Sequence, residues 1–254
     1  LTVTGARWVD SHCHIDPDAD PASVIAEARA AGVVHLVNVG TDVASSQQAI
    51  DVAAVHEGVW ATVGVHPHDA SGGLGGLESL VSSPGVVAIG ECGLDYHYDH
   101  SPRETQREVF AAQIALAVDR GLPVVVHSRE AWADTFDILG SEAGATPVVM
   151  HCFTGGPDEA QRCLDLGAYL SFSGIVTFPS APEVRQAATL CPADRLLVET
   201  DSPFLAPVPH RGKRNQPAWV PHVGAVVAEV RGVEVNQLAH QTTRNAISVF
   251  GLGE

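Results

Sequence analysis

Short apolar runs alternate with longer amphipathic stretches along almost the whole chain. The runs fall at 6–12, 33–40, 59–66, 86–91, 123–127, 147–151, 168–173 and 195–201. Most are continuous rather than alternating, the pattern of parallel strands covered on both faces. Between them, 21–31, 43–57, 74–82, 102–120, 130–139, 157–166 and 182–190 read as helices. Several of these open on proline, and Gly32 and Gly121 close two of them, the expected helix punctuation. A Pro-rich loop and two more helices, 220–231 and 235–250, follow the last run. Eight strand–helix units within 254 residues predict a (β/α)8 TIM barrel, an α/β fold forming one domain over 1–254. An open doubly wound sheet is the alternative architecture.

The polar residues fall at the ends of these runs. His12 and His14, Asn38, His66, Glu91, His127, His151, Ser173 and Asp201 all stand at or just past a strand end. In a barrel those ends converge on one face, where active sites sit. Any one of them alone reads as a capped strand end or a hydrogen-bonded core histidine. Together they are too many donor groups to bury without a shared partner. His12 and His14 are two apart on an extended chain, so both imidazoles face one side and can grip one ion. Asp201 ends the eighth strand and neighbours the first when a barrel closes, which makes it a third ligand. His127 and His151 can hold a second ion, with Glu91 reaching both. Imidazole and carboxylate donors suit Zn²⁺, Mn²⁺ and related divalent ions, Mg²⁺ included, better than Ca²⁺.

Composition narrows the picture. Hydrophobic residues make up 45% of the chain, which excludes a disordered polymer. The longest apolar runs are about six residues, far short of the roughly 20 that span a bilayer. With no leader-like segment at the start, the expectation is a cytoplasmic protein without membrane contact. Thirty acidic residues against 14 basic give a formal charge of −16, which speaks against a broad surface that coats nucleic acid. It leaves open a nucleic-acid enzyme with a local cleft. Five cysteines without paired spacing read as reduced thiols. Cys13, Cys92 and Cys152 each adjoin a candidate ligand, and strand alternation turns them to the opposite face as packing residues. The single lysine, Lys213, lies beyond the last strand. A carboxylated lysine therefore cannot bridge two metals here, and Glu91 must if anything does.

These residues carry a resemblance over nearly the whole chain. Trp8-Val9-Asp10-Ser11-His12-Cys13-His14-Ile15-Asp16, Pro123-Val124-Val125-Val126-His127-Ser128-Arg129 and Leu196-Leu197-Val198-Glu199-Thr200-Asp201-Ser202-Pro203 resemble, in order, three motifs of the TatD family of metal-dependent deoxyribonucleases, amidohydrolase-like barrel enzymes. Gly64-Val65-His66-Pro67, Gly90-Glu91-Cys92-Gly93-Leu94-Asp95, His151-Cys152-Phe153-Thr154-Gly155 and His210-Arg211-Gly212-Lys213-Arg214-Asn215 are also similar. The resemblance implies two divalent ions, one on His12, His14, Glu91 and Asp201 and one on Glu91, His127 and His151. It departs at Gln216, where the family usually has Glu. It also implies DNA as substrate, with 3′→5′ exonuclease action on single-stranded ends.

The expected reaction is phosphodiester hydrolysis by a metal-activated water, with Asp201 as ligand and general base and Glu91 as the shared ligand. His66 is placed to contact the phosphate or leaving group, and Arg129 to hold a phosphate oxygen. The stretch 202–228 holds no acidic residue but has Arg211, Lys213 and Arg214, a positive patch beside the strand ends. Phe204 and Tyr96 are candidates to stack on bases. No sequence-reading motif appears, so cleavage independent of sequence is expected, with no obligate protein partner. The competing reading is an amidohydrolase-type enzyme acting on a lactone, cyclic amide or phosphotriester, because fold alone does not decide chemistry.

Overall fold

All eight apolar runs form strands. In the computed structural model, which describes residues 5–16 and 20–253, they are β1 (Trp8–Cys13), β2 (Val33–Val39), β3 (Val59–Val63), β4 (Val86–Asp95), β5 (Val124–Arg129), β6 (Val148–Met150), β7 (Tyr169–Phe172) and β8 (Leu196–Val198). Each pairs in parallel with the next, in the order β1 to β8. Closure comes from the chain just past β8. Asp201 N–H donates to the His12 carbonyl at 2.9 Å and His14 N–H to the Ser202 carbonyl at 2.8 Å. The Asp10 carboxyl accepts from Thr200 N–H and Oγ1–H at 2.8 and 2.6 Å, and Ser11 Oγ donates to the Val198 carbonyl at 3.0 Å. Burial pushes the Asp10 carboxyl up to about 8, and the hydrogen bonds from Thr200 work against that rise. The result is a (β/α)8 barrel.

The helices are α1 (Pro21–Ala30), α2 (Val43–Val55), α3 (Leu77–Leu80), α4 (Arg103–Arg120), α5 (Trp132–Glu142), α6 (Pro157–Asp165), α7 (Pro182–Leu190), α8 (Val220–Arg231) and α9 (Val235–Phe250). The largest departure from the sequence pattern is α3, a single turn where 74–82 reads as a helix. Gly76 in a left-handed conformation delays its start. A 3-10 turn, Pro67–Gly72, precedes it and carries the chain over the barrel mouth. Asp42 caps α2 by accepting from Ser45 N–H at 2.6 Å.

Two apolar layers result. The larger cluster, including Trp8, Phe110, Ile114 and Phe172, lies between strands and helices. Trp8 packs so close to α8 that a Cβ on Gly224 would sit 2.1 Å from its ring. The smaller cluster fills the barrel with Val9, Val37, Val125, Val149 and Leu197 and is closed below by Val249, Phe250 and Leu252 from the C-terminal segment. No helix among the described residues is long and apolar enough to cross a membrane.

Candidate metal centre

Two breaks in strand register aim the central side chains. Between Asp10 and Cys13 β1 advances three residues while β2 advances two, and between Ile89 and Cys92 β4 does the same against β5. The extra residues fall around His12 and around Glu91. Such a bulge re-aims the side chains beside it. Cys13 and Cys92 consequently remain in the outer apolar layer, as expected of packing residues. Beyond the second bulge β4 and β5 approach so closely that a Cβ on Gly93 would lie 2.0 Å from the His127 carbonyl oxygen.

Glu91 is buried at the centre, and its two oxygens face different imidazoles. Oε2 lies 3.3 Å from His12 Nε2 and 3.8 Å from His14 Nε2. Oε1 lies 2.8 Å from His151 Nε2, 3.1 Å from His127 Nδ1 and 3.4 Å from His66 Nε2. Asp201 joins the first side, with Oδ1 3.7 and 3.8 Å from His14 and His12 Nε2. The ligand atoms of His12, His14 and Asp201 form one compact group, those of His66, Glu91 and His127 a second, and His12 also groups with Glu91 and His151.

Hydrogen bonds on the far side of each ring set which nitrogen is free. His14 Nδ1 faces the Val39 carbonyl at 3.1 Å, His151 Nδ1 faces Glu199 Oε1 at 3.2 Å, and His127 Nε2 faces Asp95 Oδ2 at 3.1 Å. Those partners only accept, so in each neutral ring the opposite nitrogen keeps its lone pair toward Glu91. His66 is wired the other way. Its Nδ1 accepts from His68 N–H at 3.1 Å, which leaves the proton on Nε2, the atom pointing at Glu91. His66 is therefore a donor to the site rather than a ligand.

This arrangement fits divalent cations. Both ring nitrogens of fully buried His12 lack a hydrogen-bond partner, an expensive condition that an ion on Nε2 relieves. His127 Nδ1 and His151 Nε2 are 3.4 Å apart, close to the separation of two nitrogens about 2.0–2.1 Å from one tetrahedral ion. The local potential is also strongly negative. Burial opposes charge on His14, His127 and His151, yet the surrounding carboxylates raise all three above the ordinary imidazole range. Burial likewise works to raise Glu91 and Asp201, but the imidazoles hold both below the usual carboxylate range. His12 and His66 stay low, chiefly through burial.

Three supporting residues escape the strand-end pattern. Buried Asp95 accepts from His97 and Tyr98 N–H on Oδ1 at 3.0 and 2.9 Å, while Oδ2 meets both His127 and His68 Nε2 at 3.1 Å. Glu199, fully buried, accepts from Cys152 N–H at 2.7 Å and orients His151. Glu199 had a visible signal, since it stands two residues before Asp201. Asp95 had only its place at the end of the Gly90-Glu91-Cys92-Gly93-Leu94-Asp95 stretch, and His68 had none.

The centre lies at the floor of a cavity of about 1140 Å³ whose walls include Arg129, Phe204 and Arg214. Several sequence expectations change here. Tyr96 does not line the cavity: its hydroxyl donates to Asp134 Oδ2 at 2.6 Å and Arg103 covers its ring. Tyr98, two residues on, lines it instead. Arg211 and Lys213 also fall outside the lining, Arg211 lying over Phe178. Cys152 faces the cavity, because it sits in the turn after β6 at φ 42°, where strand alternation no longer applies. Gln216 is not among the lining residues, and its N–H donates to Asn215 Oδ1.

A barrel that gathers imidazoles around one shared carboxylate at its strand ends belongs among the metal-dependent barrel hydrolases. A family model described as TatD related DNase matches residues 9–251, and the chain belongs to that family. It is 41% identical over 249 residues to the uncharacterized metal-dependent hydrolase YabD of Bacillus subtilis, covering 95% of this chain and 98% of that one. It is 41% identical over 243 residues to the 3′-5′ ssDNA/RNA exonuclease TatD of Klebsiella pneumoniae, covering 92% of each. The crystal structure of YjjV, a TatD homologue from Escherichia coli, superposes with a TM-score of 0.91 at 27% identity over 98% of this chain and 99% of that one. This protein is accordingly a metal-dependent hydrolase.

Proposed function

We propose that this hydrolase removes nucleotides from the 3′ ends of single-stranded DNA, independently of sequence. The observation that carries the reading is Glu91, which offers one oxygen to each of two imidazole groups at the floor of an open cleft. His12, His14 and Asp201 would hold one divalent ion and His127 and His151 the other, with Glu91 on both. When bound, such ions supply Lewis acidity at the phosphate and a nucleophilic water at neutral pH. The direction of attack and the preference for single-stranded ends draw on the relatives named 3′-5′ ssDNA/RNA exonucleases.

The chain's own groups then divide the remaining work. Asp201 is ionised and faces the cleft, so it takes a proton from the attacking water. His66, neutral with its one proton on Nε2, donates a hydrogen bond toward the departing 3′ oxygen, which takes up the proton that Asp201 accepted from the water. Water oxygen bonds to phosphorus, the P–O3′ bond breaks, and a 5′-nucleotide and a new 3′ hydroxyl leave. Arg129 and Arg214 neutralise neighbouring phosphates. Lys213 is exposed and outside the cavity, so no carboxylated lysine bridges the ions, which argues against the lactone and phosphotriester reading.

The test uses purified protein with Mg²⁺, Mn²⁺ or Zn²⁺ on single- and double-stranded oligonucleotides labelled at the 5′ end. Progressive shortening from the 3′ end of the single strand is expected, together with two ions per chain by metal analysis. Turnover of lactones or phosphotriesters without nucleotide release overturns the reading.

A further inference from the structure

We propose that the cleft reads its substrate as a dinucleotide step, with one base stacked on Tyr98 and the base across the scissile phosphate stacked on Phe204. This rests on the nuclease reading above and adds a specific footprint to it. Tyr98 and Phe204 are 51% and 60% exposed, high values for aromatic side chains, and both line the cavity that holds the centre. They stand at the two ends of a series of ring contacts that passes through the centre. Ring contacts run without a break from Tyr98 through His68 and His66 into the imidazoles on the Glu91 Oε1 side. They continue through His12 and His14, on the Oε2 side, to Phe204. In that order of contacts one exposed aromatic ring lies beyond the imidazoles on each side of Glu91.

The Tyr98 ring has an arginine beside it, and the segment that holds Phe204 is tied to the residue next to another. The Arg129 guanidinium lies 4.8 Å from the centre of the Tyr98 ring, lines the cavity and forms no ion pair among the described residues. At the other end Arg214, paired with Asp16 at 3.1 Å, precedes Asn215, whose Nδ2 donates to the Phe204 carbonyl at 2.6 Å. An aromatic face for a base with a cation for the adjoining phosphate is the unit that single-strand binders repeat. Two such units flanking one hydrolytic centre suit a flexible strand whose bases can splay apart. They do not suit a duplex, whose base faces are already stacked, nor a mononucleotide, which fills only one unit. Tyr98 is held ready for this. Its N–H is tied to Asp95 Oδ1 at 2.9 Å, and its ring is backed by His100 at 5.6 Å and an interplanar angle of 18°.

The test pairs ring deletions with base deletions. Oligonucleotides carry a tetrahydrofuran abasic residue on one side or the other of the scissile phosphate, and kcat/KM is compared among wild type, Tyr98→Ala, Phe204→Ala and Tyr98→Phe. In wild type each missing base should lower kcat/KM about tenfold. Tyr98→Ala should lose a similar factor on the intact strand and erase the penalty at one flank only. Phe204→Ala should erase it at the other, and Tyr98→Phe should behave as wild type. Full-sized penalties persisting in both alanine variants overturn the proposal, as does wild-type turnover indifferent to both bases. Binding of 2-aminopurine oligonucleotides, read by fluorescence quenching, separates this proposal from the one it rests on. Quenching lost in Tyr98→Ala and Phe204→Ala, with no strand cleavage by wild type, keeps the stacking sites and removes the nuclease. Cleavage without base dependence keeps the nuclease and removes the sites.

Discussion

The two ends of the barrel are made from the same strands and obey opposite rules. At the lower end Val9, Val37 and Leu197 meet Val249, Phe250 and Leu252, and the contacts are non-directional. At the upper end His12, Glu91, His151 and Glu199 are as deeply buried as that core, yet every polar atom there needs a partner in a particular direction. The lower end accordingly tolerates changes that keep volume and shape. The upper end depends on two one-residue bulges and a set of ring orientations. Stability resides mainly at one end and chemistry at the other, and substitutions should separate them.

The sharpest separation comes from Glu91→Gln. Replacing one carboxylate oxygen by an amide NH2 removes the donor on one side of the proposed centre and the negative charge that serves both, so hydrolysis should fall by about 10³-fold or more, and metal analysis should find fewer than two ions per chain. Phe250→Ala is the mirror experiment. It should cost about 3–5 kcal/mol in denaturant unfolding while leaving kcat per folded molecule within about twofold. A large loss of kcat in that variant would mean that the two ends are coupled.

Asp95→Asn tests how far orientation alone matters. The amide can still accept from His97 and Tyr98 N–H, but its NH2 group would face His127 Nε2 and drive that ring's proton onto Nδ1, the atom that faces Glu91 and is proposed as ligand. A loss of about 10–100-fold in metal affinity is expected by titration calorimetry, with the unfolding midpoint much less affected. The smallest effect should divide the basic loop itself. Arg214→Ala should weaken single-stranded DNA a few-fold and reduce the salt slope of binding by about one, in fluorescence anisotropy across a salt series. Lys213→Ala, outside the cavity, should change neither.

The six metal-ligand candidates were legible because each ends or follows an apolar run, and a barrel brings such ends together whatever the loops do. Their supports were less so. Asp95 is four residues beyond Glu91, and it reaches His127 only because β4 continues past its bulge in register with β5, pairing Gly93 with His127 and Asp95 with Arg129. Tyr96 and Tyr98 differ by two positions in a polar, aromatic-rich segment. Past the end of a strand no alternation rule says which ring enters the cleft, and the Tyr96–Asp134 hydrogen bond decides it. Cys152 shows the same limit, since a left-handed residue after β6 reverses the face that strand periodicity assigns to it.

By itself, the sequence determined the number and order of the strands, the helices between them and the donor types gathered at one end. Those follow from local periodicity and from the few ways a parallel α/β chain can close. Only the tertiary structure decided which oxygen of Glu91 faces which imidazole, that His66 carries its proton toward the site, and that Tyr98 rather than Tyr96 enters the cleft. Each of these depends on hydrogen bonds and ring contacts formed across bulges and turns, where no periodic pattern in the chain records the direction of a side chain.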